Sequence, residues 1–236
     1  MSINLDVWFT PAEYKDEQEQ TAVVIDVLRA TTSIVMAISN GCQAVIPVAQ
    51  VEEALAQREV CPDVILGGER GSLLIPGFDL GNSPREYSRE VVAGRKVVIT
   101  TTNGTLALRR AIKAKTVIAA SFVNAGAVCR FLRQTSGGGG LLCAGTKGRF
   151  SLEDALCAGL IASRLSDVAA MSDTALAAAA MYQGAQAHLR EIVESSSHAR
   201  HLAAVGFAAD IAFCLTHDVV DVVPILADGV LKAMPG

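Results

Sequence analysis

Four places in this 236-residue chain put chemically capable side chains beside the small or glycine residues that let a ligand approach. The first closes the apolar run Ala22–Val23–Val24–Ile25 with Asp26, followed by Arg29, Thr31, Thr32 and Ser33. A carboxylate buried in a strand costs several kcal/mol unless it is paired, hydrogen-bonded or metal-bound, so Asp26 must have a partner. Either Arg29 pairs with it while Thr31 or Thr32 caps the following helix, or Asp26 is a Mg²⁺ ligand or a nucleophile, with Arg29 and the hydroxyl-rich helix start holding a phosphate.

The second place is Thr101–Thr102–Asn103–Gly104–Thr105, after an apolar strand. A helix start needs one cap residue, and five consecutive small, polar or glycine residues exceed that need. The excess suits a cradle of hydroxyls and backbone N–H groups for an oxyanion, with Gly104 admitting the ligand; a capped helix after a turn is the alternative. In the third, Gly145–Thr146–Lys147–Gly148–Arg149, two cations between glycines suit anion binding, and Ser151–Leu152–Glu153–Asp154 follows. Ser151 with Asp154 fits a capping box, whereas Glu153 is explained either by the helix dipole or by metal or catalytic duty. The fourth spans Gly67–Gly68–Glu69–Arg70–Gly71 and residues 77–86. Ser83–Pro84–Arg85–Glu86 fits a second capping box, which leaves Arg70 and Arg85 to grip a second anion.

Histidines 188, 198, 201 and 217 all fall in the last quarter. His198 and His201 share a helical face, but no H-E-x-x-H or third ligand accompanies them, so surface or packing roles are expected. The six cysteines contain no C-x-x-C pair and sit in apolar stretches, which points to reduced, mostly buried thiols. G-x-S-x-G, Walker and G-x-G-x-x-G motifs are absent, so acyl-hydrolase, P-loop and Rossmann chemistry lack their residues.

The elements that must position these groups alternate. Short apolar runs at 22–27, 44–48, 64–66, 96–100, 116–120, 141–143 and 219–223 are the expected strands. Helical periodicity covers 32–40, 51–58, 84–89, 104–114, 125–134, 152–166 and 173–183. The strands are apolar nearly throughout, as in a sheet covered on both faces, so an α/β fold is expected: a three-layer α/β/α sandwich around a mostly parallel or mixed sheet. The Ala-rich segment 172–213 is expected to be helical and to pack on a single domain spanning 1–236. The Gly137–Gly140 tract is expected to be a flexible turn.

Composition narrows the function classes. A chain of this length buries roughly 70–75% of its unfolded surface, and with 51% hydrophobic residues disorder is excluded. A net charge of −4 without a basic block argues against nucleic acid. The longest apolar run, Ala175–Tyr182, is far short of the ~20 residues of a membrane helix. Residues 1–6 lack the basic and apolar regions of a secretion signal, so a cytoplasmic location is expected.

Taken together, Ile25–Asp26–Val27–Leu28–Arg29–Ala30–Thr31–Thr32, Gly67–Gly68–Glu69–Arg70, Gly77–Phe78–Asp79–Leu80–Gly81–Asn82–Ser83–Pro84, Thr101–Thr102–Asn103–Gly104–Thr105, and Cys143–Ala144–Gly145–Thr146 with Ser151–Leu152–Glu153–Asp154 resemble the 2-phosphosulfolactate phosphatase family. The resemblance covers about residues 1–160 and continues more loosely to the C-terminus. It implies an α/β/α fold with a mixed sheet and a Mg²⁺-dependent acid phosphatase. Such an enzyme turns 2-phospho-3-sulfolactate and water into 3-sulfolactate and phosphate, a step of coenzyme M biosynthesis. A haloacid-dehalogenase mechanism would need a second Asp two residues after the first, and Leu28 stands there.

On this basis the expected catalytic residues are Asp26, Arg29, Glu69 and Lys147, with water or Asp26 attacking phosphorus. Mg²⁺ is expected on Asp26, Glu69, Glu153 and Asp154. Substrate binding is expected at Thr31, Thr32, Arg70, Arg85, Thr101, Thr102, Asn103, Gly104, Thr105, Thr146 and Arg149. The expected partner is a small anionic phosphorylated substrate, on a chain for which a homo-oligomer is left open. Two alternatives stand beside this: the same chemistry on a different small phosphorylated acid, and a non-catalytic protein that binds an anionic metabolite.

Overall fold

The computed structural model describes residues 3–15, 21–135 and 137–234. The chain opens with β1 (Ile3–Trp8) and β2 (Thr21–Ile25), then α1 (Ala30–Ser39), β3 (Ala44–Pro47), α2 (Val51–Val60), β4 (Ile65–Arg70) and the short β5 (Leu73–Leu74). A 3₁₀ turn (Pro84–Glu86) leads to α3 (Arg89–Val92), β6 (Lys96–Thr100), α4 (Gly104–Arg110) and β7 (Thr116–Ala120). A second 3₁₀ turn (Phe122–Asn124) precedes α5 (Ala125–Gln134), β8 (Gly138–Cys143), α6 (Leu152–Leu165) and β9 (Ala169–Met171). The helical segment expected at 172–213 is α7 (Asp173–Ala185), α8 (Leu189–Glu194), α9 (Ser197–Ala204) and α10 (Ala208–Cys214), and the hairpin β10 (Pro224–Ala227) and β11 (Val230–Ala233) ends it.

Eleven strands form one mixed sheet in the order β5-β4-β6-β3-β11-β10-β7-β2-β8-β1-β9. One parallel block joins β3, β6 and β4, and another joins β7, β2, β8, β1 and β9. The β10–β11 hairpin links them through three antiparallel steps and so reverses the polarity between the blocks. Alternation along β2 shows why its run is apolar throughout. Ala22 and Val24 pack with Ile34 of α1 and Leu108 of α4, while Val23 and Ile25 face Leu132 of α5 and Ile161 of α6. Both faces are therefore dry, and an α/β/α sandwich results.

Three expectations fail for identifiable reasons. Residues 219–223 form no strand, because Asp218 and Val220 donate backbone N–H groups to Phe122 and Val123 carbonyls and Asn124 Nδ2 donates to the Val222 carbonyl, binding the segment to a turn. Residues 84–89 are not one helix. The Ser83 hydroxyl donates to Asp210 and Glu86 accepts from the Gly81 N–H, so the capping box never forms. Finally, Gly138–Gly140 are not a turn but the first half of β8, between β1 and β2. A Cβ on Gly140 would lie 1.8 Å from the Trp8 ring, so glycine here makes room for the indole, which is 5% exposed and packs edge-on against Tyr14 at 4.9 Å. The cysteines fulfil expectation: all six are free and all but Cys61 are buried. Among the described residues no helix is long and apolar enough to cross a membrane.

Gly140→Ala should therefore lower stability by about 1–3 kcal/mol through overpacking. Urea unfolding followed by fluorescence of Trp8, the chain's one tryptophan, measures this. An unchanged midpoint would mean that the indole has room to shift.

Candidate active site

Loops that follow β2, β4, β6 and β8 converge with helix α9 around a cleft of about 680 Å³. The β2–α1 turn supplies Asp26, Leu28 and Arg29; the β4–β5 hairpin Glu69, Gly71 and Ser72; the β6–α4 turn Thr101, Thr102 and Asn103. Thr146, Lys147, Arg149 and Phe150 come from the β8–α6 loop, and Ser197, His198, His201 and Leu202 from α9.

Asp26 sits one residue past β2, and a cis peptide joins Leu28 to Arg29 in the turn that follows. Thr31 Oγ1 accepts from the Asp26 N–H (2.9 Å) and donates to the Asp26 carbonyl (2.8 Å), and Thr32 Oγ1 donates to the Val27 carbonyl (2.9 Å). These two buried hydroxyls clamp the turn. They neither cap α1 nor line the cleft, contrary to both expectations. The Asp26 carboxylate accepts only the Ala30 N–H among the described residues, at 3.2 Å on Oδ1. Its Oδ2 lies where a side chain at 104 would begin, 2.6 Å from an added Cβ, so Gly104 lets α4 close on Asp26 and does not itself face the cleft.

Arg29 does not pair with Asp26. Its guanidinium donates to Asp210 Oδ2 (2.8 Å) and to the Ser72 carbonyl (2.8 Å) and stacks on the Phe207 ring at 3.9 Å. Ser83 Oγ donates to the other Asp210 oxygen (2.8 Å), so a fully buried ion pair ties α10 to the β2–α1 turn and to residue 83. Asp210 gave no signal in the sequence, because nothing local distinguishes it from an ordinary acid in the first turn of a helix.

Asp26 is in no ion pair among the described residues. Burial pushes its pKa up to about 6; the positive His198 and the Ala30 N–H oppose this, and the charges of Glu69 and Glu153 reinforce it. Glu69 is aimed by two backbone donors, Thr102 N–H on Oε1 (2.7 Å) and Ser72 N–H on Oε2 (2.8 Å). Asp154 accepts the Val27 and Gly145 N–H groups (2.8 and 3.1 Å), not a capping interaction with Ser151. Burial, then the charges of Asp26 and Glu153, hold its carboxyl well above the usual range. Glu153 and Asp154 both lie behind the cleft wall.

The expected oxyanion cradle is only partly available. Thr101 and Thr105 satisfy each other, Thr105 N–H donating to Thr101 Oγ1 (3.1 Å) and Thr105 Oγ1 donating to the Thr101 carbonyl (3.0 Å). Thr105 is consequently buried away from the cleft, whereas Thr102 lines it, with its Oγ1 buried and without a hydrogen-bond partner among the described residues. Arg70 is spent on the carbonyls of Glu69 and Ala49 and on Thr100 Oγ1, and Arg85 is exposed outside the cleft. Neither lines the cleft. Lys147 and Arg149 do line the cleft. Asn103 Oδ1 accepts the Lys147 N–H (3.0 Å), and neither cationic side chain has an ion-pair or hydrogen-bond partner among the described residues.

His198 departs most from expectation. Its Nδ1 lies 2.8 Å from Glu153 Oε1 and 3.2 Å from Thr146 Oγ1, and the ring lines the cleft. The signal that could have found it was the shared helical face of His198 and His201, both of which reach the cleft.

Mg²⁺ is commonly held by one or two carboxylates, with waters and substrate phosphate completing its octahedron. Asp26 and Glu69 meet that requirement: both line the cleft and neither is in an ion pair among the described residues. No three His, Cys, Asp or Glu side chains among the described residues could enclose an ion by themselves. Glu153 and Asp154 do not line the cleft, so of the four expected ligands Asp26 and Glu69 are the two that reach it.

Residues 8–229 match the family model described as 2-phosphosulpholactate phosphatase. The chain is 47% identical over 218 residues to a probable 2-phosphosulfolactate phosphatase of Thermotoga petrophila, covering 92% of this chain and 94% of the relative. Proteins of the same name from Caldicellulosiruptor saccharolyticus and Clostridium tetani are 42% and 35% identical, over 87% and 98% of this chain and 88% and 100% of theirs.

Two outcomes follow from this geometry. Because the folded pKa of Asp26 is raised, the folded state binds its proton more tightly than the unfolded state, and stability is lost as pH rises from about 3.8 through about 6. In metal-free protein Asp26→Asn should thus be more stable to denaturant unfolding than wild type above pH 7, by on the order of 3 kcal/mol, with the gap closing below pH 4. A gap independent of pH would remove the buried charge as its cause. Asp210→Ala strands the Arg29 charge and should cost about 3–5 kcal/mol in denaturant unfolding; a loss under about 1 kcal/mol would show that Arg29 finds another partner.

Proposed function

The chain belongs to the 2-phosphosulpholactate phosphatase family, and from that membership and its cleft we propose that it is the phosphoric monoester hydrolase which converts 2-phospho-3-sulfolactate and water to 3-sulfolactate and phosphate, using Mg²⁺. The observation that carries this is the pairing of opposites in one cleft. Asp26 and Glu69 line it, and so do Lys147 and Arg149, and none of the four is in an ion pair among the described residues. The carboxylates alone would repel a phosphate. Mg²⁺ held by Asp26 and Glu69 would reverse the local charge and polarise the phosphoryl oxygens.

The protein's own groups then have separable tasks. Lys147 and Arg149 draw a multiply charged anion into the cleft and orient it, Arg149 through a planar fork that matches carboxylate or sulfonate oxygens. Arg29 acts at a distance, since its hydrogen bonds go to Asp210 and Ser72 and its charge is shared with them. A metabolite carrier would use the same cations but gains nothing from two unpaired carboxylates, which favours the enzyme. The cleft itself calls for a small phosphate ester with a second strong anion; membership of the family supports the sulfonated lactate and with it the coenzyme M route.

Phosphate release from 2-phospho-3-sulfolactate should exceed release from simple phosphomonoesters, stop in EDTA and return with Mg²⁺. Tight binding without release would assign a carrier, and faster turnover of another phosphorylated acid would reassign the substrate. Arg149→Lys should raise KM for the two-anion substrate about tenfold, roughly 1.4 kcal/mol of binding, with a far smaller effect on a simple monoester. Equal losses on both would place Arg149 at the phosphate.

A further inference from the structure

The cleft contains one ionisable pair that the preceding reading leaves unused. His198 projects from α9 into the cleft, and its Nδ1 is held by Glu153 Oε1 at 2.8 Å on the buried first turn of α6, with Thr146 Oγ1 at 3.2 Å. Glu153 is 1% exposed, so it cannot exchange His198 for water. A carboxylate fixed on one ring nitrogen sets the tautomer and the ring plane and leaves Nε2 for the cleft. We propose that His198 is the general acid that protonates the leaving oxygen of the substrate, with Glu153 as its positioning residue. This rests on the phosphatase reading and names a residue for its hardest step, departure of an aliphatic alkoxide.

The step balances without a further reagent. The P–O bond to the sulfolactate carbon skeleton breaks, its electron pair goes to the ester oxygen, and that oxygen takes the proton from His198 Nε2. The oxygen of water forms the new P–O bond, its surplus proton stays with the phosphate product, and the imidazole is reprotonated from solvent. Several charges bear on the ring. Burial works against the imidazolium, but the hydrogen bond and charge of Glu153 and the charge of Asp26 outweigh both burial and the opposing charge of Arg29, and keep the pKa of His198 above its ordinary value. Lys147, Arg149 and His201 share the cleft with it. Glu153 in turn stays ionised below the usual carboxylate range: burial opposes this, but His198 and Ser151 prevail.

A general acid matters in proportion to how poor the leaving group is, and its removal typically costs 10²–10⁴ in rate. In Mg²⁺, His198→Gln should lower kcat on 2-phospho-3-sulfolactate by at least about 10²-fold, yet lower kcat on 4-nitrophenyl phosphate, whose phenolate leaves unaided, by less than about tenfold. Equal losses on the two esters would overturn the acid role while leaving the phosphatase reading intact. Failure of the wild type to release phosphate from either ester would instead overturn that reading. If His198→Gln does not fold, Glu153→Gln gives the same comparison of leaving groups. NMR titration of His198 in metal-free protein supplies a readout independent of activity. Its midpoint should fall in Glu153→Gln, and an unmoved midpoint would remove Glu153 as the group that holds the ring.

Discussion

The buried ion pair of Arg29 with Asp210 is the interaction on which the architecture of the cleft depends. Its partners are 181 residues apart, and the side chains are 1% and 3% exposed. A buried pair of this kind contributes little net stability relative to an apolar replacement, but losing one partner is expensive, so the geometry that keeps both is strongly specified. Here that geometry fixes where α10 sits. With Phe207 covering the guanidinium and Ser83 bonded to the second Asp210 oxygen, the C-terminal helices are held against the β2–α1 turn. His198 on α9 reaches Glu153 because this docking brings it there.

The same pair determines the electrostatics of the cleft by subtraction. An arginine three residues from a buried aspartate would ordinarily neutralise it; committed to Asp210, it leaves Asp26 to desolvation, opposed by His198 and reinforced by the charges of Glu69 and Glu153. A site arranged in this way is unfavourable as a resting structure. A divalent cation and an anionic ligand arriving together would offset this, since each would supply the charge the other lacks. That condition is met by a metal-assisted phosphoryl transfer more naturally than by simple anion storage.

Rigid elements carry most of the residues concerned. Asp26 and Thr101 lie one residue beyond the ends of β2 and β6 and Glu69 one residue before the end of β4, on strands buried on both faces, and the turns that hold them are closed by hydroxyls and backbone N–H groups satisfied within the protein. The excess of threonines is therefore mainly structural: Thr31, Thr32 and Thr105 stiffen the frame away from the cleft, and Thr101 and Thr102 are the ones that line it.

The sequence by itself determined the sandwich and the strand-end segments that meet at the cleft, though not the α9 segment that closes it. Dry strands must be apolar throughout, so Asp26, Glu69, Thr101, Thr102, Thr146, Lys147 and Arg149 stand out where polar groups interrupt or follow such runs. These are local patterns, and the periodicity of strand and helix makes them visible without a fold. Strand β1 and the β10–β11 hairpin were missed because an alternating edge-side run and two four-residue strands carry too little pattern. Gly138–Gly140 was misjudged because nothing local reveals that an indole will occupy the missing side-chain volume. Partnership lay beyond the sequence altogether. Which acid takes Arg29, which hydroxyls are spent on backbone, that Arg70 and Arg85 leave the cleft, and that a histidine 45 residues after Glu153 binds it are decided by which surfaces the packed helices bring within 3 Å. Hydrogen bonds and ion pairs act at that range, and spacing along a chain does not encode it.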